Sequence, residues 1–309
     1  MTATTPRLPA DVLVFERGWL SSNNVLLHDT SPAGAVLVDS GYATHAAQTV
    51  ELVARALDGT PLGRIFNTHL HSDHCGGNAA LVQRFGCSVY VPAAQFDAVR
   101  RWDPAALTFA ATGQHCPRFD ARDTLAPGQR HQIGRLEWQV LGAPGHDPHS
   151  LILYAPEERL LISADALWAN GFGVVFPEID GSAALQEVRE TLDLMAGLDV
   201  RAVIPGHGPV FSDVAAALER AYRRLEGFER DPQRHGWYAA KALTKFHLIE
   251  VRRAARPRLF HWLRATPLLS RIHSRYFNGT AFDTWCESLL DELIRTGAAT
   301  MDGGDVVDT

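Results

Sequence analysis

Cysteine is scarce in this 309-residue sequence, and no two cysteines form a C-x-x-C pair. The four are widely scattered: Cys75, Cys87, Cys116 and Cys286. This usage is typical of a reducing compartment and argues against a disulfide framework. The start of the chain lacks a charged segment followed by an apolar run, and no apolar stretch approaches the roughly 20 residues needed to cross a bilayer. These absences predict a soluble cytoplasmic protein that does not associate with membranes.

An overall excess of positive charge is also missing, because the formal net charge is −6. This balance does not suggest a protein that coats nucleic acid. The exception is the stretch from Lys241 to Arg275, where nine basic residues accompany a single acid, Glu250. Such a stretch can bind a phosphate, a coenzyme A tail or nucleic acid, or it can pair with acidic helices of the first domain or of a second subunit. Pairing is favoured, because no series of stacking aromatics accompanies the charges.

Strand-like and helix-like segments alternate over the first two thirds of the chain, and this alternation predicts a layered α/β domain over residues 1–212. From about Phe211 the pattern becomes helical. It predicts one long helix over SDVAAALERAYRRLEGFERD and a short hairpin around Gly303 and Gly304. Between them it predicts three further helices, over YAAKALTKFHLIEVRRAA, LFHWLRATPLLSRIHSRYF and FDTWCESLLDELIRTG. We expect residues 213–309 to form a helical C-terminal domain similar to a winged helix.

Three histidines and one aspartate fall within six positions of the stretch FNTHLHSDHCGGN. His69 and His71 lie two residues apart at the end of a predicted strand, so both side chains can point the same way. Asp73 and His74 are adjacent, and in a loop leaving the strand they can turn towards a second ion. Imidazole and carboxylate groups suit zinc, iron and related ions. The spacing therefore suits two neighbouring metals better than one.

Further candidate ligands stand at the ends of other predicted strands. His146 follows the strand WQVLGAPG, Asp165 follows RLLISA, and His207 lies in AVIPGHG. A sheet can gather residues from such strand-to-loop junctions at one edge. Glycines beside two of these residues, Gly145 and Gly206, let the backbone turn sharply there.

Taken in order, THLHSDHCGG, APGHDPHS, LISADALW and VIPGHG resemble the metallo-β-lactamase superfamily, and the glyoxalase II-like branch in particular. VLVDSG at Val36–Gly41 is similar to an early strand of that family with its buried aspartate. The resemblance covers roughly residues 10 to 212. It implies a four-layer αββα sandwich with a dinuclear site along one edge of the sheets.

The resemblance also implies a role for each matching position. His69, His71 and His146 would hold the first ion, and Asp73, His74 and His207 the second. Asp165 would bridge the two ions, and Asp39 would fix the loop that carries the histidines. The cofactors implied are two divalent ions, zinc in the first instance, with iron or manganese as alternatives. Asp73 would also orient, or take a proton from, a water activated by the metals.

Residues for the substrate pocket are less strongly indicated. His149, three residues after His146, is a candidate for the pocket rim. Trp168 and Phe172 follow the bridging aspartate and are candidates for the wall, with plain packing as the equal alternative for Trp168. Trp19 is another candidate for the rim, with a plain hairpin turn as the favoured alternative, and Cys75 is interpreted as a small buried side chain.

Together these features predict a dinuclear metal-dependent hydrolase that cleaves a small or medium thioester, ester or lactone through a metal-bound hydroxide. One alternative is a phosphodiesterase or nuclease that uses the basic C-terminal helices. Another is a nucleic-acid-binding module with a structural metal site. Seven ligands disfavour the latter, because structural zinc sites are normally closed with four. The expected partner is therefore a small-molecule substrate, with homo-oligomerisation left open.

Overall fold

The computed structural model describes residues 6–309 of the chain. Its first sheet has six strands that lie side by side in chain order. They are β1 (Val12–Phe15), β2 (Asn24–Leu27), β3 (Ala35–Val38), β4 (Leu62–Phe66), β5 (Ser88–Pro92) and β6 (Asp123–Leu125). β1, β2 and β3 pair antiparallel, whereas β3 to β6 run parallel.

The second sheet has five strands. They are β7 (Arg130–Ile133), β8 (Leu136–Gly142), β9 (Leu151–Ala155), β10 (Leu160–Ala164) and β11 (Ala202–Pro205). Their order across the sheet is β11-β10-β9-β8-β7. β10 and β11 are parallel and the other neighbours antiparallel, so β8, β10 and β11 all run in the same direction.

The two sheets face each other across an apolar interior. β3 has the sequence AVLV, and all four of its residues are buried. A continuous apolar run of this kind is typical of a strand that is covered on both faces. Phe66 from the first sheet and Trp138 from the second are both buried in the same cluster of side chains. This cluster forms the middle of the domain.

Helices cover the outer face of each sheet. Those on the first sheet are α1 (Ala46–Leu57), α3 (Asn78–Phe85) and α4 (Phe96–Arg101). Those on the second are α7 (Ala184–Ala196) and α8 (Val214–Arg230). In α1, Thr49, Val53 and Leu57 recur every four residues and are buried, so one stripe of the helix faces the sheet. The domain is therefore the expected four-layer αββα sandwich.

Three one-turn helices lie in the loops of this domain. They are α2 (Ser72–Cys75), α5 (Phe109–Thr112) and α6 (Phe176–Ile179). The sequence did not predict them, because four residues are too few to show a helical period. α2 matters most, since it contains part of the histidine motif.

The C-terminal part is helical and has its own apolar core. Its elements are α9 (Pro232–Val251), β12 (Arg253–Ala255), α10 (Arg256–Ala265), α11 (Pro267–Tyr276), α12 (Phe282–Arg295), β13 (Ala299–Asp302) and β14 (Asp305–Asp308). β13 and β14 form the predicted hairpin, with Gly303 and Gly304 at its turn. The buried face of α8 belongs to the core of the second sheet, and the domain boundary at residue 212 stays a prediction.

Two of the predicted C-terminal helices end earlier than expected. The segment LFHWLRATPLLSRIHSRYF is divided into α10 and α11, because Pro267 disfavours helical geometry at the residue before it, and Thr266 is extended. The helix predicted to run through VRRAA ends at Val251. Arg252 follows with φ +62°, and Arg253–Ala255 then pairs with β14 as a strand.

None of the helices within residues 6–309 has the length and hydropathy that a membrane-spanning helix requires.

Candidate metal centre

The carboxyl ends of four strands meet at one edge of the sandwich. β4 leads into the histidine motif, β8 leads towards His146, β10 ends directly before Asp165, and β11 ends two residues before His207. Because β8, β10 and β11 run in the same direction, their ends share one edge of the second sheet. All seven predicted ligand positions are brought together there.

The histidine motif turns through a short helix and not through an open loop. His71 is extended and precedes α2, whereas Asp73 and His74 lie within it. The backbone N–H groups of His74 and Cys75 both donate to the carbonyl oxygen of His71, at 3.0 and 3.1 Å. Because of this tight turn, the donor residues of the motif are divided between two groups of metal-ligand candidates.

The first group consists of three imidazoles. His69 Nε2 lies 3.1 Å from His71 Nδ1, and His71 Nδ1 lies 2.9 Å from His146 Nε2. His69 and His146 are almost fully buried, and His71 lies at the base of a cavity. Three ring nitrogens that converge in this way match the donor set of a zinc-type site.

The second group combines two imidazoles with two carboxylates. Asp73 Oδ2 lies 3.0 Å from His207 Nε2 and 3.8 Å from His74 Nε2. Asp165 Oδ1 lies 3.4 Å from His74 Nε2, and its Oδ2 lies 3.3 Å from His146 Nε2 of the first group. The Asp165 carboxylate therefore stands between the two groups.

Asp39 supports the motif from below, as the sequence predicted for it. Its carboxylate accepts hydrogen bonds from the Thr68 backbone N–H at 2.9 Å, the Thr68 hydroxyl at 2.7 Å and His74 Nδ1 at 2.7 Å. Because Nδ1 of His74 is held by Asp39, Nε2 is the nitrogen that faces Asp73 and Asp165. Partners of this kind orient a ligating imidazole and fix its tautomer.

His146 is oriented by the backbone. Its Nδ1 donates to the carbonyl oxygen of Val174 at 2.7 Å, so Nε2 faces the site. Two glycines leave room for the donor side chains. A Cβ at Gly173 would lie 2.4 Å from His146 Nδ1, and a Cβ at Gly206 would lie 2.1 Å from Asp165 Oδ1. Either contact would displace a donor side chain.

Burial and neighbouring charge set the protonation of these groups. Burial, together with the nearby histidines, lowers the pKa of His69 well below its ordinary value and that of His146 to about 4. Burial opposes the charged form of His74, but the Asp165, Asp39 and Asp73 carboxylates outweigh it and raise the pKa of His74 well above its ordinary value. Metal ligation requires a neutral imidazole beside ionised carboxylates, so a metal ion at His74 would displace the ring proton that these carboxylates favour.

The donor atoms fit divalent metal ions. Within residues 6–309, the buried Nε2 of His74 has no hydrogen-bond partner, although it lies between two carboxylates. A buried polar atom without a partner is costly in a folded protein. Coordination of a cation would satisfy this nitrogen and balance the two acidic side chains.

A cavity of about 550 Å³ opens over the site, and five of the seven donor residues line it: His71, Asp73, His146, Asp165 and His207. Trp19 lines it and stacks on the His207 ring, with centroids 5.4 Å apart and an angle of 11° between the planes. Trp168 also lines it and donates from Nε1 to Asp165 Oδ1 at 3.1 Å. Trp19 lies in the turn between β1 and β2, which is the favoured alternative, and it also takes the rim position that the sequence offers as the second alternative. Its contact with the His207 ring depends on the fold, because no local motif indicates it.

The three predicted pocket residues have different positions. Trp168 lines the cavity. Phe172 does not; it is 1% exposed and packs against Phe228 in the core of the second sheet, so its place in the pocket wall is corrected. His149 lies on a second cavity of about 360 Å³, which shares His71 with the first. Cys75 is fully buried, as expected.

One whole wall of the main cavity was missed from the sequence. It is formed by α9, through residues that carry no motif: Tyr238, Ala242, Leu243, Lys245, Phe246 and Ile249. Their spacing of three and four residues predicts an amphipathic helix. This spacing does not indicate that one face of the helix lines a site formed by residues far away in the chain.

The basic stretch from Lys241 to Arg275 is largely neutralised within the chain. Six of its nine basic residues form ion pairs: Lys241 with Glu292, Lys245 and Arg252 with Asp308, Arg253 with Asp302, Arg264 with Asp283, and Arg271 with Asp180. Pairing was the favoured interpretation, but most partners lie in the C-terminal part itself and not in the first domain.

The sequence model of the metallo-beta-lactamase superfamily matches residues 17–207. The match covers more than half of the chain and contains all seven donors, so the chain belongs to the metallo-beta-lactamase superfamily. Two crystal structures agree in fold: a metallo-beta-lactamase family protein from Thermus thermophilus and a beta-lactamase domain protein from Burkholderia ambifaria. Their TM-scores are 0.59 and 0.60, and each covers 98% of this chain at 20% identity. The alignments cover 100% and 93% of those two chains.

Among curated relatives, the chain is similar to hydroxyacylglutathione hydrolases. That of Rhizobium etli is 29% identical over 196 residues, which are 63% of this chain and 65% of the relative. That of Brucella ovis is 30% identical over 154 residues, which are 49% of this chain and 50% of the relative. The chain thus spans less than two thirds of the relatives it matches. These similarities agree with the predicted resemblance to the glyoxalase II-like branch of the superfamily.

Proposed function

We propose that this protein is a hydrolase with a dinuclear metal centre that cleaves a small or medium thioester, ester or lactone. The observation that carries this proposal is the position of Asp165, whose two carboxylate oxygens face His146 and His74 at 3.3 and 3.4 Å. A carboxylate between two donor groups suits a ligand shared by two ions. Seven donors beneath an open cavity favour catalysis, since structural zinc sites are normally closed by four ligands.

Each proposed ion has three donors of its own. His69, His71 and His146 would hold one, Asp73, His74 and His207 would hold the other, and Asp165 would be shared. Zinc is the proposed metal, with iron or manganese as alternatives, because imidazole and carboxylate donors suit all three. When bound, such a pair of ions polarises a carbonyl oxygen and lowers the pKa of water towards neutrality.

We assign to Asp73 the role of accepting a proton from the attacking water. It lines the cavity, and its Oδ2 lies 3.0 Å from His207 Nε2. This contact fixes the carboxylate at the base of the cavity, where substrate and water meet. Trp19 and Trp168 line the same cavity, where they would shield a bound carbonyl from part of the bulk water.

The choice of substrate bond is supported by the hydroxyacylglutathione hydrolases, whose name denotes cleavage of a thioester. A phosphodiesterase that uses the basic C-terminal helices is less well supported. It needs free cations, and six of the nine basic residues between Lys241 and Arg275 are already paired with acids. A thioester, ester or lactone places no such demand on these helices.

The test is to incubate the metal-loaded protein with three reporter substrates, a thioester, a lactone and a phosphodiester, and to measure their hydrolysis. We expect turnover of the thioester or the lactone, and Asp73→Ala to abolish it with the fold retained by circular dichroism. Asp97→Ala, an exposed aspartate on α4, is the control and should keep the full rate. Activity on the phosphate ester alone, or full activity in Asp73→Ala, would overturn the proposal.

A further inference from the structure

An apolar stripe on α9 faces the cavity, and the residues from 6 to 309 cover it only in part. Tyr238, Ala242, Phe246 and Ile249 line the cavity and are only half-buried. They recur at intervals of three and four residues and therefore share one face of the helix. Other positions of α9, such as Leu248, are fully buried in the C-terminal core. The helix is thus apolar on a face that the fold leaves partly open.

The opposite wall is aromatic. Trp19 is 57% exposed, which is the highest value among the exposed large apolar side chains of residues 6–309. Its ring meets Trp168 edge-on with centroids 5.4 Å apart, and both residues line the cavity. An exposed, contiguous apolar surface of this kind is characteristic of a ligand-binding groove.

The two basic side chains that line the cavity, within residues 6–309, are both engaged with the protein. Arg224 donates to the carbonyl oxygen of Phe172 at 3.2 Å and lies over the Tyr238 ring at 5.5 Å. Lys245 Nζ donates to the Ala298 carbonyl oxygen and to Asp308, both at 2.6 Å. A substrate group rich in carboxylates or phosphates would have to break these contacts, whereas an apolar group would not.

We propose that the acyl group of the substrate is an unbranched or aromatic apolar chain, which lies between the α9 stripe and Trp19 and Trp168. This inference rests on the proposed function, because it places the carbonyl carbon at the base of the same cavity. In the reaction, the oxygen of water bonds to the acyl carbon and the C–S or C–O bond breaks. The products are an apolar carboxylate, one released proton, and a thiol or alcohol that keeps the other proton of the water.

The experiment is a chain-length series of acetyl, butyryl, hexanoyl and octanoyl thioesters with the metal-loaded protein. Each buried methylene is worth about 0.8 kcal/mol, so kcat/KM should rise about fourfold per added methylene. Ala242→Trp should bring the octanoyl-to-acetyl ratio of kcat/KM towards one, because the indole fills the space beside α9. Ala215→Trp, exposed on α8, is the matched control and should keep the wild-type ratio. A ratio near one in the wild-type protein overturns the inference and leaves the hydrolase proposal intact.

A second measurement is independent of turnover and of the metals. Calorimetric binding of acetate, butyrate, hexanoate and octanoate to the metal-free protein should show affinity that rises with chain length. Ile249→Thr, a milder change than Ala242→Trp, should weaken octanoate binding several-fold. If no thioester is cleaved but octanoate still binds in this pattern, the hydrolase proposal fails and the apolar site stands. If binding is independent of chain length, the apolar site is refuted whatever the activity.

Discussion

At the scale of single residues, the site depends on side chains that hold the donors in place as much as on the donors. Asp39 is the clearest case, because one carboxylate accepts from Thr68 twice and from His74 Nδ1 once. It does so from a left-handed backbone conformation, with φ +56°. Asparagine tolerates this conformation better than most residues. Asp39→Asn therefore removes the charge and leaves the backbone favourable.

We expect Asp39→Asn to lower metal affinity about 10- to 100-fold, since loss of a supporting carboxylate weakens the ligating imidazole. The measurement is competition with a chromophoric chelator, and thermal unfolding of the metal-free variant controls for the fold. Asp291→Asn, exposed on α12, is the matched control. Unchanged affinity in Asp39→Asn would show that Asp39 does not act through His74.

Most residues of the candidate centre could be predicted from the sequence because each stands beside an apolar strand or in the dense histidine motif. The ends of β8, β10 and β11 precede His146, Asp165 and His207. A strand end can be predicted from the apolar pattern of the strand itself. For Trp19 the rim was only the less favoured alternative, since its contact with His207 joins positions remote in the chain. Phe172 was misplaced because an aromatic after a strand end suits a pocket wall and a core equally.

At the scale of elements, α9 connects the two parts of the molecule. One face packs in the C-terminal core and another lines the cavity above the donors. Tyr42, which lies between β3 and α1, donates from its hydroxyl to Glu250 of α9 at 2.7 Å. The helix itself was predictable from its periodicity, but its position over the site was not, because helical spacing does not specify what the helix faces.

α9 also carries a buried histidine that makes the fold sensitive to acid. His235 is 1% exposed, and within residues 6–309 neither ring nitrogen has a hydrogen-bond partner. Burial lowers its pKa from 6.5 to about 4. Between these two values the unfolded chain binds a proton that the folded chain does not, so the free energy of unfolding falls as the pH falls.

We expect His235→Leu to remove this loss of stability. Relative to pH 7, the wild-type protein should lose about 2 kcal/mol more than the variant at pH 5, from a slope of about 1.4 kcal/mol per pH unit. Urea denaturation of the metal-free proteins at both pH values measures the difference, so that loss of bound metal does not contribute. Equal losses in both proteins would show that His235 is not the group responsible.

At the scale of the whole molecule, the architecture explains why distant residues converge. Two sheets pack face to face, and the carboxyl ends of β4, β8, β10 and β11 meet at one edge. The layered α/β fold was predictable because alternating strands and helices allow few other arrangements. The division of the C-terminal helices was less so, because Pro267 and the left-handed Arg252 act on single residues within otherwise helical patterns.

We propose that this edge of the sandwich holds two metal ions that share Asp165. Anomalous diffraction from crystals of the metal-loaded protein, with metal content determined on the same sample, tests it most directly. We predict two ions per chain, one among His69, His71 and His146 and one among Asp73, His74 and His207, each also bound by Asp165. A single ion, or ions located away from these side chains, would refute a dinuclear centre at this edge.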